Sequence, residues 1–145
     1  APNPAGEPRS DVGVLLWTLE NCQVCGRMLS LARGMLKPDG AVVVATGSRL
    51  LVPFKKPLHT YLQKNPTDTH CFRFSANTLQ GILSVSGFDI AHVNRYLDHD
   101  ILCVIGRPRS ADRPAKWQGD NFLDICGFFE RWHVDTAMYF PDRIG

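Results

Sequence analysis

Val12-Gly13-Val14-Leu15-Leu16 reads as a buried β-strand, and the chain reaches it almost at once. Only eleven residues, Ala1 to Asp11, come before it, and they hold three prolines, one glycine and no strand signal. A helix, a Lys37-Pro38-Asp39-Gly40 turn and a second strand, Ala41 to Ala45, follow. A continuous β-branched run such as Val42-Val43-Val44 is expected where a strand is covered on both faces. That order belongs to the middle of a doubly wound α/β domain. Such folds bind ligands at the carboxyl ends of their first strands, usually against a glycine-rich strand-to-helix turn. The expectation is therefore the second half of a nucleotide-type domain, with part of the usual site supplied from elsewhere.

Composition narrows the class. A chain of 145 residues that is 44% apolar can fill one core. The net charge of +2, with no basic stripe interleaved with aromatics, argues against nucleic acid. Apolar runs stop short of the roughly 18 residues a bilayer span needs, so no membrane is expected. No basic segment followed by an apolar one marks a signal peptide. Five cysteines, an odd number, suit a reducing, cytoplasmic setting.

Along the chain, Ala1 to Ser10 reads as a linker or truncation edge. Cys22 to Leu36 carries Val24, Met28, Leu31, Ala32 and Met35 at helical spacing, with Asn21 as N-cap. Arg49 to Thr69 contains Pro53, Pro57 and Pro66 and reads as a long loop with one short helix around Leu58 to Gln63, a segment type that often forms a lid. Ser75 to Gly87 is a well-marked helix: Ser75 caps it, Phe74 and Leu79 form a hydrophobic staple, and Gly87 stops it. Asp89 to Arg95 and Ile101 to Ile105 read as an antiparallel pair joined by Tyr96 to Asp100. Arg107 to Gly119 reads as a linker. Asn121 to Met138 reads as an aromatic helix behind Asp120 as cap. Phe122, Ile125, Phe129 and Trp132 form its stripe, which Phe128 widens. Such a face is expected to dock on the sheet or on another chain.

With these pieces in order, Asp11 to Pro108 resembles the C-terminal half of a class I S-adenosylmethionine-dependent methyltransferase. Asp11 to Leu16 with Trp17-Thr18-Leu19-Glu20-Asn21 resembles the family's fourth strand and its h-x-L-E-H end. Leu36-Lys37-Pro38-Asp39-Gly40 with Ala41 to Val44 is similar to the L-K-P-G-G turn and fifth strand. His70-Cys71-Phe72-Arg73-Phe74-Ser75, Leu79 and Gly87-Phe88 resemble H-x-x-x-F-S…L…G-F. Asp89 to Ile105 is similar to the last two strands. The resemblance implies an α/β fold: a partial Rossmann-like methyltransferase sheet of the last four strands with an antiparallel closing hairpin, plus the C-terminal aromatic helix. Residues 11–108 would form the half-domain, and residues 109–145 the linker and docking helix.

The family's glycine-rich first turn and the acidic residue ending its second strand have no counterpart here, Asn21 stands where histidine is common, and Asp39 replaces a glycine. The resemblance thus implies S-adenosylmethionine as cofactor, with weak or absent binding by the isolated chain. In the family's strand order, 3-2-1-4-5-7-6, Val12 to Leu16 would lie beside an absent strand. A missing N-terminal half or a partner protein chain is expected to cover that edge.

The same resemblance places candidate residues. Trp17, Thr18 and Glu20 would contact the cofactor at a strand's carboxyl end. His59, Tyr61 and His70 flank the proline-rich loop, where one of them would orient or deprotonate a small-molecule acceptor; solvated, structural histidines are the alternative. Cys22-Gln23-Val24-Cys25 raises a different chemistry, a thioredoxin-like thiol–disulfide pair at a helix start, against two ordinary buried cysteines. No metal site is expected, because Cys71, Cys103 and Cys126 are scattered singly. His133 reads as a surface or packing residue, not a catalytic one, and Arg107, Arg109 and Arg113 are too sparse for a phosphate site. Three functions compete: methyl transfer within a larger chain or assembly, a non-catalytic methyltransferase-like interaction module, and a thiol–disulfide enzyme.

Overall fold

The computed structural model describes residues 10–47, 70–94, 101–110, 112–115, 117 and 119–137. The expected helix at Leu58 to Gln63 and the connection Tyr96 to Asp100 lie outside them. The described elements run β1 (Ser10–Leu16), a 3-10 turn (Leu19–Asn21), α1 (Cys25–Met35), β2 (Leu36–Thr46), α2 (Ala76–Val85), β3 (Phe88–Val93), β4 (Leu102–Pro108) and α3 (Phe122–Ala137). The four strands form one sheet in the order β1-β2-β4-β3. β1 and β2 are parallel, joined through α1, whereas β4 is antiparallel to both β2 and β3.

The expected turn Lys37-Pro38-Asp39-Gly40 is not free-standing. Ser10 pairs with Leu36 but Val12 pairs with Ala41, so the four residues are absorbed into β2 as a bulge opposite one residue of β1. Gly40 is needed there: a β-carbon on it would stand 2.9 Å from the carbonyl oxygen of Asp11. Lys37 Nζ donates to Asp11 Oδ1 at 2.7 Å across the bulge.

One face of the sheet is closed by α1 and α2. Val42, Val44, Leu102 and Val104 meet Leu29, Leu79 and Leu83 in a fully buried cluster. Each such side chain contributes about 1.5–3 kcal/mol by leaving water. The buried side of α1 holds only part of the stripe expected from spacing: Met28 and Ala32 pack against the core. Cys25 and Leu29 are buried, while Val24, Leu31 and Met35 are exposed. Nor does Asn21 cap α1. It ends the 3-10 turn, where its Nδ2 donates to the Trp17 carbonyl at 3.1 Å, and α1 starts at Cys25 behind Val24 without a side-chain cap.

The opposite face is apolar too. Val14 lies beside Val43, and Val43 beside Ile105, with Val12 and Leu16 flanking Val14. Val12 and Val14 are each 56% exposed and Leu16 46%. Among the described residues β1 pairs with β2 alone, so the strand expected to lie between neighbours forms the sheet's edge.

α2 follows its sequence markers. Ser75 Oγ accepts from the Thr78 amide at 3.0 Å and Thr78 Oγ1 accepts from the Ser75 amide at 2.9 Å, a reciprocal capping box. Phe74 and Leu79, the expected staple, are both buried. Gly87 ends the helix with φ of 87°. Two arginines gather at that end. Arg109 Nη2 donates to the Ser84 carbonyl at 2.6 Å, and Arg33 Nε donates to the Gly87 carbonyl at 3.0 Å. Cations there complement the helix dipole.

From Arg109 the chain runs back along α2. The indole of Trp117 covers Gly81, where a β-carbon would stand 2.0 Å from Nε1. Asp120 accepts from Ser75 Oγ and from Asn77 Nδ2 at the start of α2. Asp120 is thus not the cap of α3; Asn121 takes that place, its Oδ1 accepting from the Leu123 amide at 2.8 Å.

In α3, Phe128, Phe129 and Trp132 pack on one another, and Trp132 is buried. Phe122 and Leu123 are exposed, and no described strand or helix packs extensively on α3. No described helix is long and apolar enough to cross a membrane.

Candidate functional site at the carboxyl ends of the parallel strands

The parallel pair ends at Leu16 and Thr46, and the chain turns sharply after β1. Trp17 adopts φ of 50°, a left-handed conformation rare for a large residue, while its amide donates to the Ala45 carbonyl at 2.8 Å. The strand thus gains one more bond to β2 and then breaks. The Thr18 hydroxyl donates back to the Leu16 carbonyl at 2.8 Å. The 3-10 turn follows, anchored by Leu19 in the core. Trp17 lays its indole over Gly47, where a β-carbon would come within 2.6 Å of Nε1, yet the residue stays half exposed.

Glu20 is fully buried, and among the described residues neither carboxylate oxygen has a hydrogen-bond partner. Burying such a group without a partner is unfavourable, so buried orphans call for a specific reason. Its backbone carbonyl is well used, accepting from the amides of Cys71 at 2.7 Å and Phe72 at 3.1 Å. The segment leading to α2 is thereby held against the turn.

Trp17, Thr18 and Glu20 therefore share one turn at the expected end of the sheet. His70 is exposed and adjoins Cys71, which brings it beside the same turn. His59 and Tyr61 lie outside the described residues. Gly47 and Cys71 were not among the expected site residues. Gly47 ends β2 as Trp17 ends β1, a signal visible once the strands are known to be parallel neighbours. Cys71 carries no local signal, because its place depends on a contact some fifty residues distant in the chain.

The cysteine pair does not have the setting of a redox couple. Cys25 is buried; burial pushes its thiol up from the ordinary value, and the neighbouring Cys22 pushes it further. The attacking thiol of such a pair is favoured by a helix start, whereas Cys22 lies three residues ahead of α1 with its thiol on the Thr18 carbonyl. Among the described residues no group of three or more histidines, cysteines or acids is placed to hold a metal. Arg109 is spent on the end of α2, Arg113 pairs with Asp89, and His133 is exposed.

No family model and no curated protein matches the chain. Solved structures do. The chain is similar to one in the complex between the Haloferax volcanii Trm112 methyltransferase activator and a candidate methyltransferase. That match has a TM-score of 0.57 at 11% identity and covers 74% of this chain and 57% of the other. It is also similar to LaPhzM, with a TM-score of 0.54 at 17% identity, covering 69% of this chain and 30% of the other. The chain thus spans little more than half of one neighbour and under a third of the second. At these identities the likeness shows the fold, and that fold is methyltransferase-like.

Proposed function

We propose that the chain forms the C-terminal half of an S-adenosylmethionine-dependent methyltransferase, acting on a small-molecule acceptor once a further protein segment or partner chain pairs with β1. The observation that carries this reading is the junction of topology and site. A β1-β2-β4-β3 sheet with its antiparallel closing pair ends, at the carboxyl side of the parallel strands, in the Trp17–Glu20 turn. The residues present fit one wall of such a site. The half-exposed Trp17 indole offers a face to a purine or a sulfonium, since cations are attracted to indole faces. Thr18 brings a hydroxyl, and Glu20 brings a buried carboxyl that is unpartnered among the described residues. When bound, the cofactor supplies an electrophilic methyl on a sulfonium. The task left to the protein is alignment with the acceptor, which needs no signature triad. His59, Tyr61 and His70 are proposed to face the acceptor. A non-catalytic interaction module is the second reading, favoured by the exposed apolar residues of β1.

Photocrosslinking with methyl-labelled S-adenosylmethionine tests the proposal. The chain alone should bind more weakly than micromolar, and saturating cofactor should label the peptide spanning residues 10–27. Trp17→Ala should reduce that label, and S-adenosylhomocysteine should compete it away. Label in that peptide that is indifferent to the competitor, or label that falls only outside it, would overturn the methyltransferase reading.

A further inference from the structure

Three of the five cysteines converge on a single turn. The Cys22 thiol donates to the Thr18 carbonyl at 3.2 Å, and the Cys25 thiol to the Leu19 carbonyl at 3.3 Å. Cys71 approaches from the far side, its sulfur 3.8 Å from the Asn21 carbonyl oxygen. The approach is held by two backbone bonds, from the amides of Cys71 and Phe72 to the Glu20 carbonyl. The Asn21 carbonyl belongs to the peptide bond that begins Cys22. In a trans peptide that oxygen lies about 3 Å from the next α-carbon, which puts the Cys71 sulfur no farther than about 7 Å from the Cys22 α-carbon. A disulfide needs the two sulfurs about 2.05 Å apart, so a rotation about the Cys22 side chain together with a shift of the Cys71 segment of up to about 3 Å closes the gap.

We infer that Cys22 and Cys71 form a reversible disulfide that staples the start of the α2 segment to the turn carrying Trp17, Thr18 and Glu20. Accessibility separates them from the third thiol. Cys71 is exposed and Cys22 half-buried, whereas Cys25 is buried in the core. Burial also raises the Cys25 thiol, which disfavours it as the attacking group. The oxidant is a low-molecular-weight disulfide. The Cys71 thiolate attacks one of its sulfurs, forming a mixed disulfide and releasing one small thiolate. Cys22 loses its proton and attacks the Cys71 sulfur, releasing the second. Two protein thiols are oxidised, and one small disulfide is reduced to two thiols. The closed loop spans some fifty residues, so the bridge restricts the unfolded chain substantially.

The test incubates the full chain with excess glutathione disulfide, blocks remaining thiols and maps linked tryptic peptides. A link should join the peptide holding Cys71 to that spanning residues 10–27, with fragmentation placing it on Cys22. It should persist in Cys25→Ser, whose hydroxyl can still donate to the Leu19 carbonyl, and vanish in Cys22→Ser. The oxidised protein should melt several degrees higher than the reduced one. A Cys22–Cys25 bridge, glutathione retained on Cys71, a link to Cys103 or Cys126, or a bridged protein that melts lower would each overturn the inference.

Discussion

Replacing Glu20 by methionine should make this protein more stable. The side chain is fully buried, and both carboxylate oxygens lack a hydrogen-bond partner among the described residues. An unpartnered buried polar group costs about 1–3 kcal/mol by mutational measures, and exchanging buried charge for well-packed apolar groups has often been neutral or stabilising. Methionine matches glutamate in length and adapts to irregular space. The expected gain is therefore about 1–3 kcal/mol. For a chain of this size, that corresponds to a rise in Tm of about 3–10 °C. Glu20→Gln should gain less, because the amide remains buried and polar. Urea and thermal unfolding followed by circular dichroism give both numbers, and an unchanged m-value would show that stability has changed without a change in the surface exposed on unfolding. A loss of 1 kcal/mol or more in Glu20→Met would refute the reasoning, since it would mean that the carboxyl has a native partner. Under the proposed function the same variant should lose cofactor labelling despite its added stability, a combination that a purely structural residue would not produce.

Ser75→Ala removes the side-chain half of the capping box on α2, leaving the Ser75 amide on Thr78 Oγ1, and removes the hydroxyl that donates to Asp120; it should lower stability by about 1–2 kcal/mol in urea unfolding. Arg109→Met keeps the apolar stem but leaves the Ser84 carbonyl at the end of α2 without its charged donor; about 1–3 kcal/mol should be lost, and amides near Gly87 should exchange faster. The Lys37 ammonium beside Asp11 holds that carboxyl below its usual range, and Asp11 raises Lys37 in turn. The contribution of the Asp11 charge is therefore present above the unfolded carboxylate value and fades as pH falls through the lower folded one. That of Lys37 is present below its unfolded value and fades as pH rises through the higher folded one. Carboxyl NMR titration should show the Asp11 midpoint returning upward in Lys37→Met, and in the parent at high salt.

Local chemistry was enough to place several elements. β2 could be read because Val42-Val43-Val44 has no other stable home than a covered strand. α2 could be read because Ser75, the Phe74–Leu79 staple and Gly87 act within one helix and its ends. The antiparallel closing pair could be read because both strands are apolar and near in sequence. The turn carrying Trp17, Thr18 and Glu20 could be located because it follows a strand at the end where α/β sheets present their loops.

What remained hidden depends on contacts between distant residues. The Lys37–Gly40 segment looks like a turn in isolation and becomes a bulge because β1 pairs on both sides of it. Spacing gave α1 an apolar stripe, but the position of the sheet kept only Met28 and Ala32 of it against the core and centred the buried side on Cys25 and Leu29. Asp120 sits before a helix like a cap and is drawn instead to Ser75 and Asn77. The orphaned carboxyl of Glu20 and the meeting of Cys22, Cys25 and Cys71 exist only because the segment before α2 folds onto the first turn. Periodicity and capping report the energies of neighbours along the chain; burial, pairing and the convergence of reactive groups are set by which surfaces meet across it.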